Sequence, residues 1–185
     1  MKESSSLLGY ALLGLLGQQL LSGYDVKKIF ATTPMAGFSD SPGAIYPALR
    51  RLEQAGQVRS EVKQMTGLRR RRVFRITPKG LASLKAWLAK PITEEDVVRR
   101  MGEVMLRFAF MDDALDGERS VEFLQELAGK LAGYIPSLHE YLEVHAAAMP
   151  VSGRLALESG IGEYEARLDW AKNAIAHYRR RKKER

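Results

Sequence analysis

Two groups of side chains in the first half of this 185-residue chain have the types and spacing to hold a polyanion. Tyr46 and Arg50 lie four residues apart, about one helical turn, so a phenol hydroxyl and a guanidinium would share one face. The hydroxyl suits a phosphate oxygen, and the guanidinium suits a phosphate or a guanine edge. Arg69, Arg70, Arg71 and Arg72 then set four cations in a row, and a polyanion is the simplest reason to tolerate their mutual repulsion. In a strand alternate side chains point to opposite sides, so about two of the four are expected to touch one partner at once.

Other chemistry is poorly provided for. Without cysteine there is no disulfide framework, thiolate metal site or cysteine nucleophile. His139 and His145 are six apart and share no helical face, and the His139–Glu143 spacing often arises by chance, so no metal site is expected. Asp112, Asp113 and Asp116 fall where one helix gives way to the next and read as caps. Neither a Gly-rich phosphate loop nor a nucleophile motif appears. No catalytic residue or cofactor is expected, and the chain reads as something other than an enzyme.

The elements that must position the cations are legible. Ser41 suits a helix cap and Pro42 the first helical position, while Ile45, Leu49 and Leu52 form one apolar stripe. Pro42, Gly43, Tyr46 and Arg50 then lie on the opposite, groove-facing side, and Gly56 closes the helix. Ahead of it, a helix over about 5–17 carries Leu8, Ala11, Leu12, Leu15 and Leu16 on one face. Ser22 caps a second helix, over about 23–31, expected to bury Tyr24, Val26 or the stem of Lys27, Ile29 and Phe30, and residues 33–40 read as a loop. Behind it, 57–62 and 72–76 read as a two-stranded hairpin turning near Gly67, with the arginines at or near its tip. Thr77 and Pro78 start a fourth helix with Leu81, Leu84 and Leu88 on one face and Trp87 beside them. The expected fold is mainly α, a winged helix-turn-helix domain over 1–90 joined at Pro91 to a helical domain over 91–185.

Charge divides along the same line. Residues 1–90 hold 15 of the 29 basic but only 5 of the 22 acidic residues, a net of +10; the other 14 basic and 17 acidic residues give the remainder −3. Only the first half is thus expected to meet a polyanion. The basic run Arg179–Arg185 reads as a solvated helix end. The apolar run Leu7–Gly17 has neither the charged flank nor the cleavage site of a signal peptide and is too short to span a bilayer, so a cytoplasmic protein without membrane contact is expected.

The second half carries two seams of three- and four-residue steps. One runs Val121, Leu124, Ala128, Leu131, Ile135, Leu138, Leu142, His145 and Met149; the other runs Ile161, Tyr164, Leu168, Ala171, Ile175 and Tyr178. Such helices pack antiparallel within one subunit or across two, and this much apolar surface suggests a homodimer. Pro136 is expected to kink or split the first near Tyr134. Trp87, Met101, Met105 and Phe108, with Phe110 nearby, suit a flat apolar ligand near the domain junction.

Several of these elements match a known pattern. Leu13-Gly-Leu-Leu16, Ser22-Gly-Tyr24, Ser41-Pro-Gly-Ala-Ile-Tyr-Pro-Ala-Leu-Arg-Arg-Leu52, Gly56 and Arg75-Ile-Thr-Pro-Lys-Gly80 together resemble the PadR-like transcriptional regulators. The second half looks like that family's virulence-activator-type helical domain. The resemblance implies a DNA-binding winged helix, a dimerising helical domain and an inverted-repeat operator; the residues expected from their own types and spacing to meet double-stranded DNA are Ser41, Pro42, Gly43, Tyr46, Arg50 and Arg69–Arg72. Many members repress genes and release DNA on meeting a small, often aromatic, effector. Four arginines follow Gly67-Leu68 here, where a Gly-Arg-Pro-like turn is common. The alternative reading is a protein-interaction adaptor that uses the winged helix without sequence-specific DNA binding.

Overall fold

The computed structural model describes residues 6–33, 35, 42–64 and 70–183. Its first helix, α1 (Leu7–Gln18), is capped by Ser6, whose Oγ accepts a hydrogen bond from the Gly9 amide. Leu8, Gly9 and every residue from Ala11 to Leu16 are buried. The expected single face is therefore too narrow. A helix apolar all round belongs inside a core, and the next elements surround this one.

A two-residue strand β1 (Leu21–Ser22) leads directly into α2 (Gly23–Thr32). Ser22 and Asp25 form a reciprocal capping box: the Ser22 Oγ accepts from the Asp25 amide, and the Asp25 carboxylate accepts from the Ser22 amide. Val26 and Phe30 are buried and Ile29 partly so. Tyr24, expected inside, is instead 67% exposed. The Ser41 cap and most of the 33–40 loop lie outside the described residues.

A 3-10 turn (Pro42–Ala44) enters α3 (Ile45–Gln54), which buries Ile45, Ala48, Leu49 and Leu52. The helix ends on Gly56, whose φ of +70° an L side chain rarely adopts. The Gln57 and Gly56 amides donate to the Leu52 and Glu53 carbonyls, the reciprocal pair that closes a helix C-terminus. Strands β2 (Val58–Gln64) and β3 (Arg70–Ile76) pair antiparallel, Val58 opposite Ile76 and Gln64 opposite Arg70. Both are longer than expected. The sheet also has a third strand, since β1 pairs with β3, giving the order β1-β3-β2. Two residues are too few to show alternation, and Ser22 already read as a cap, so β1 left no signal in sequence.

Thr77 caps α4 (Pro78–Leu88), its Oγ accepting from the Gly80 amide. Short helices α5 (Glu94–Arg99), α6 (Met101–Ala109) and α7 (Met111–Ala114) follow, then two long ones, α8 (Gly117–His145) and α9 (Val151–Lys183). The chain forms two compact units. The first comprises Met1–Lys90 and Leu106–Leu115, and the second Pro91–Met105 and Asp116–Arg185. Pro91 is thus one junction, but the chain returns to the first unit afterwards. Leu106, Phe110 and Ala114 complete the core around α1, and the Arg107 guanidinium donates to the Leu88 and Lys90 carbonyls at the end of α4.

In the second unit α8 and α9 pack antiparallel, with His139 on Glu165 and Tyr134 edge-on to Tyr164. The two seams therefore meet within one chain. Burial is complete at Leu124, Leu127 and Leu131, fades toward Leu142, and leaves His145 exposed beside Tyr141. α8 continues through Pro136 rather than splitting. Pro136 and Ala132 are both exposed, on a side of α8 where water can serve the carbonyl that loses its helical donor. The basic run from Arg179 continues the end of α9 as far as Lys183, and residues 184–185 lie outside the described range. No described helix is long and apolar enough to cross a membrane.

Two glycines make the packing testable. A Cβ on Gly80 would drive into the Gln57 carbonyl oxygen, whereas one on the helical Gly129 would meet nothing within 4 Å. Gly80→Ala is expected to destabilise the first unit by about 1–3 kcal/mol. Gly129→Ala should stabilise the second by about 0.4–1 kcal/mol. Urea midpoints followed for each unit's own transition check both signs.

Candidate nucleic-acid interface

With Ile45, Ala48, Leu49 and Leu52 turned inward, α3 presents Tyr46, Pro47, Arg50 and Arg51 outward, and Gly43 is exposed on the turn before it. Tyr46 is 50% exposed, and its ring lies across Gly23, where a Cβ would stand 2.5 Å from ring carbon. Half of this side chain therefore packs α2 against α3 while the other half faces solvent. Pro42 opens the turn, and Ser41 lies outside the described residues.

The arginine run divides. Arg69 and the turn around Gly67 lie outside the described residues. Arg70 is exposed opposite Gln64. Arg71 Nη2 donates to Asp25 Oδ1 at 2.5 Å, from a side chain about one-third exposed. Arg72 Nη2 donates to Glu53 Oε2 at 2.7 Å and its Nε to Ser60 Oγ at 2.9 Å, while Ser60 Oγ donates to Glu53 Oε1 at 2.6 Å. The Arg72 guanidinium also lies 5.3 Å from the Phe74 ring centroid, within cation–π range. Among the described residues, Arg71 and Arg72 thus have carboxylate partners within the chain, one on each helix of the helix-turn-helix. Residue type and spacing could not foresee this, because Asp25 and Glu53 are 46 and 19 residues from their partners.

The carboxylates respond to these contacts. Burial pushes the Asp25 carboxyl up, but the Ser22 hydrogen bonds and Arg71 outweigh it and hold it below the ordinary value. At Glu53 the Ser60 hydroxyl acts first, and with Arg72 it overcomes burial and lowers the pKa.

Residues 12–86 match the family model of the transcriptional regulator PadR-like family. Over this winged-helix segment the chain is similar to the PadR-like family. The chain is 28% identical over 145 residues to the negative transcriptional regulator PadR of Bacillus subtilis (strain 168), spanning 78% of this chain and 79% of that one. It is 50% identical over 48 residues to the transcriptional regulator Rv3488 of Mycobacterium tuberculosis (strain ATCC 25618 / H37Rv), over 26% of this chain and 44% of that one. A solved structure of B. subtilis PadR in complex with operator DNA covers 92% of this chain and 97% of its own, at 24% identity and a TM-score of 0.43.

The fold also exposes side chains that sequence spacing does not single out. Tyr24, Lys27 and Lys28 form the outer face of α2, the helix that crosses the backbone in helix-turn-helix proteins. Their three- and four-residue spacing was visible, but assigning Tyr24 to the core hid it. The four residues read as a ligand site do not lie in one unit. Trp87 and Phe108 belong to the first, Met101 and Met105 to the second. Trp87 is 2% exposed and stacked on Tyr10 at 4.5 Å, so it is core.

A carboxylate whose folded pKa is lowered adds stability that is complete above its unfolded value, here 3.8 for Asp25, and that is lost as pH falls through the folded value. The stability difference between wild type and Asp25→Asn is therefore expected to stay constant from about pH 8 to about pH 6 and to shrink below about pH 4. Urea midpoints across pH check it, and a difference that changes between pH 8 and 6 would contradict the assignment.

Proposed function

We propose that this PadR-like regulator is a repressor that binds an inverted-repeat operator as a homodimer, with α3 in the major groove. The observation that carries the reading is the outward face of α3. Gly43 leaves room for close approach, Tyr46 offers a hydroxyl and Arg50 a guanidinium, on a helix whose other side is buried. Arg50 reads a base edge or a phosphate, Tyr46 bonds a phosphate, and Arg70 meets the flanking backbone. Lys27 and Lys28 add cations on α2. The description of the B. subtilis relative as a negative regulator supports repression.

Self-association is supported by apolar side chains at the turn of the α8–α9 hairpin, where Tyr141, Val144, Val151 and Leu155 are all more than half exposed. Two copies would set two α3 helices about 34 Å apart, one turn of the duplex. A small aromatic effector that altered this spacing would release the DNA; its contacts exclude the sealed Trp87.

Fluorescence anisotropy on the chain's own upstream promoter, with scrambled duplex as control, is the direct test. Arg50→Ala is expected to weaken promoter binding selectively, by about 1–3 kcal/mol. Arg70→Ala should weaken both duplexes alike and reduce the salt slope by about 1. No binding to either duplex at low salt would overturn the DNA reading and leave the adaptor in its place. For the dimer, sedimentation equilibrium at micromolar concentration should return twice the 20.7 kDa chain mass; a monomer there would overturn the two-groove arrangement.

A further inference from the structure

The arginine run is continuous in sequence, but the strand separates its members. Alternation turns Arg71 to one face of β3, toward Asp25 of α2, and Arg72 to the other, toward Glu53 of α3. We propose that Arg71 and Arg72 are positioning residues, which with Asp25 and Glu53 clamp the wing from both sides to the two helices of the helix-turn-helix. The proposal rests on the DNA reading above and divides its wing cations into a contacting class, Arg70, and a clamping class.

Each half of the clamp is a closed ring of bonds. Asp25 Oδ2 accepts from the Ser22 amide and hydroxyl, both at 2.9 Å, which leaves Oδ1 for Arg71. Ser22 itself pairs with Val73 of β3 through β1. The helix cap, the third strand and the ion pair therefore hold the same point of the wing. On the other face Glu53, Ser60 and Arg72 each bond the other two. An isolated exposed ion pair contributes little, because it must immobilise two long side chains. Here Asp25 is already fixed by the cap, and the Arg72 guanidinium is set against a Phe74 that is 5% exposed.

The charge consequence separates clamp from contact. A guanidinium that stays paired with a carboxylate neutralises no phosphate and so releases no cation from the duplex, and removing it leaves the salt slope unchanged. If Arg71 did bind phosphate, Asp25 would be an unpaired anion beside DNA, and removing its charge would tighten binding. If Arg71 is a clamp, removing that charge loosens the wing and weakens binding.

The experiment measures binding of the full chain to promoter and scrambled duplex across a salt series for Arg71→Ala, Asp25→Asn, Glu53→Gln and Arg70→Ala. Asparagine retains an oxygen for the Ser22 cap, so Asp25→Asn breaks the ion pair while sparing the helix start. The clamp predicts that Arg71→Ala, Asp25→Asn and Glu53→Gln each lower promoter affinity several-fold more than scrambled affinity, with the salt slope unchanged, whereas Arg70→Ala reduces the slope by about 1. A slope that falls for Arg71→Ala as it does for Arg70→Ala, or tighter binding by Asp25→Asn, overturns the clamp. Amide hydrogen exchange of the DNA-free proteins decides independently. Asp25→Asn and Glu53→Gln should speed exchange across β2 and β3 and leave α8 and α9 unchanged. Wild type that binds neither duplex would sink the operator reading alone; unaltered wing exchange in both variants would sink the clamp alone.

Discussion

The first unit depends on the burial of α1 on nearly all its sides. A helix with so little polar surface must be surrounded, and its neighbours are α3, α4, α7 and β3. α3 therefore has only one way to face: its apolar stripe meets α1, and Tyr46 and Arg50 are left outside. The same demand explains why Leu106–Leu115 returns to this unit. Phe110 covers α1 at Gly14, where a Cβ would overlap its ring, and Gln18 at the end of α1 donates to Asp113. The outward face of α3 is thus a consequence of hydrophobic burial elsewhere.

Charge acts on top of this frame. Four adjacent arginines would repel one another in a bare strand. The fold relieves that repulsion by setting Asp25 and Glu53 against Arg71 and Arg72, and hydrogen bonding holds both carboxyl groups below their ordinary values. The cost is that cations which looked available for DNA are partly engaged. Tyr46 likewise packs on Gly23 with half its surface and leaves the remainder exposed.

Much of the arrangement was legible in sequence because local rules set it. Ser22, Thr77 and Gly56 stand at helix ends, as their hydrogen-bonding and backbone preferences require. The Ile45–Leu49–Leu52 stripe is buried, and the α8 and α9 seams meet each other. What misled was local evidence that stood for a nonlocal outcome. Tyr24 has an apolar ring at a core-like spacing, yet α2 is buried only through Val26 and Phe30. Pro136 removes a helical donor, yet water can serve the carbonyl and α8 runs on.

By itself the sequence determined the chain's charge division, the helix ends at Ser22, Gly56 and Thr77, and the buried stripe of α3, since these follow from side-chain type and from spacings of two to four residues. Only the tertiary structure decided which arginines face carboxylates, that a two-residue strand joins the wing, that Trp87 is core, and that the chain re-enters the first unit after Met105. Each of those depends on partners brought together from tens of residues apart, and a pairing at that distance is set by how the whole core closes, which no short spacing records.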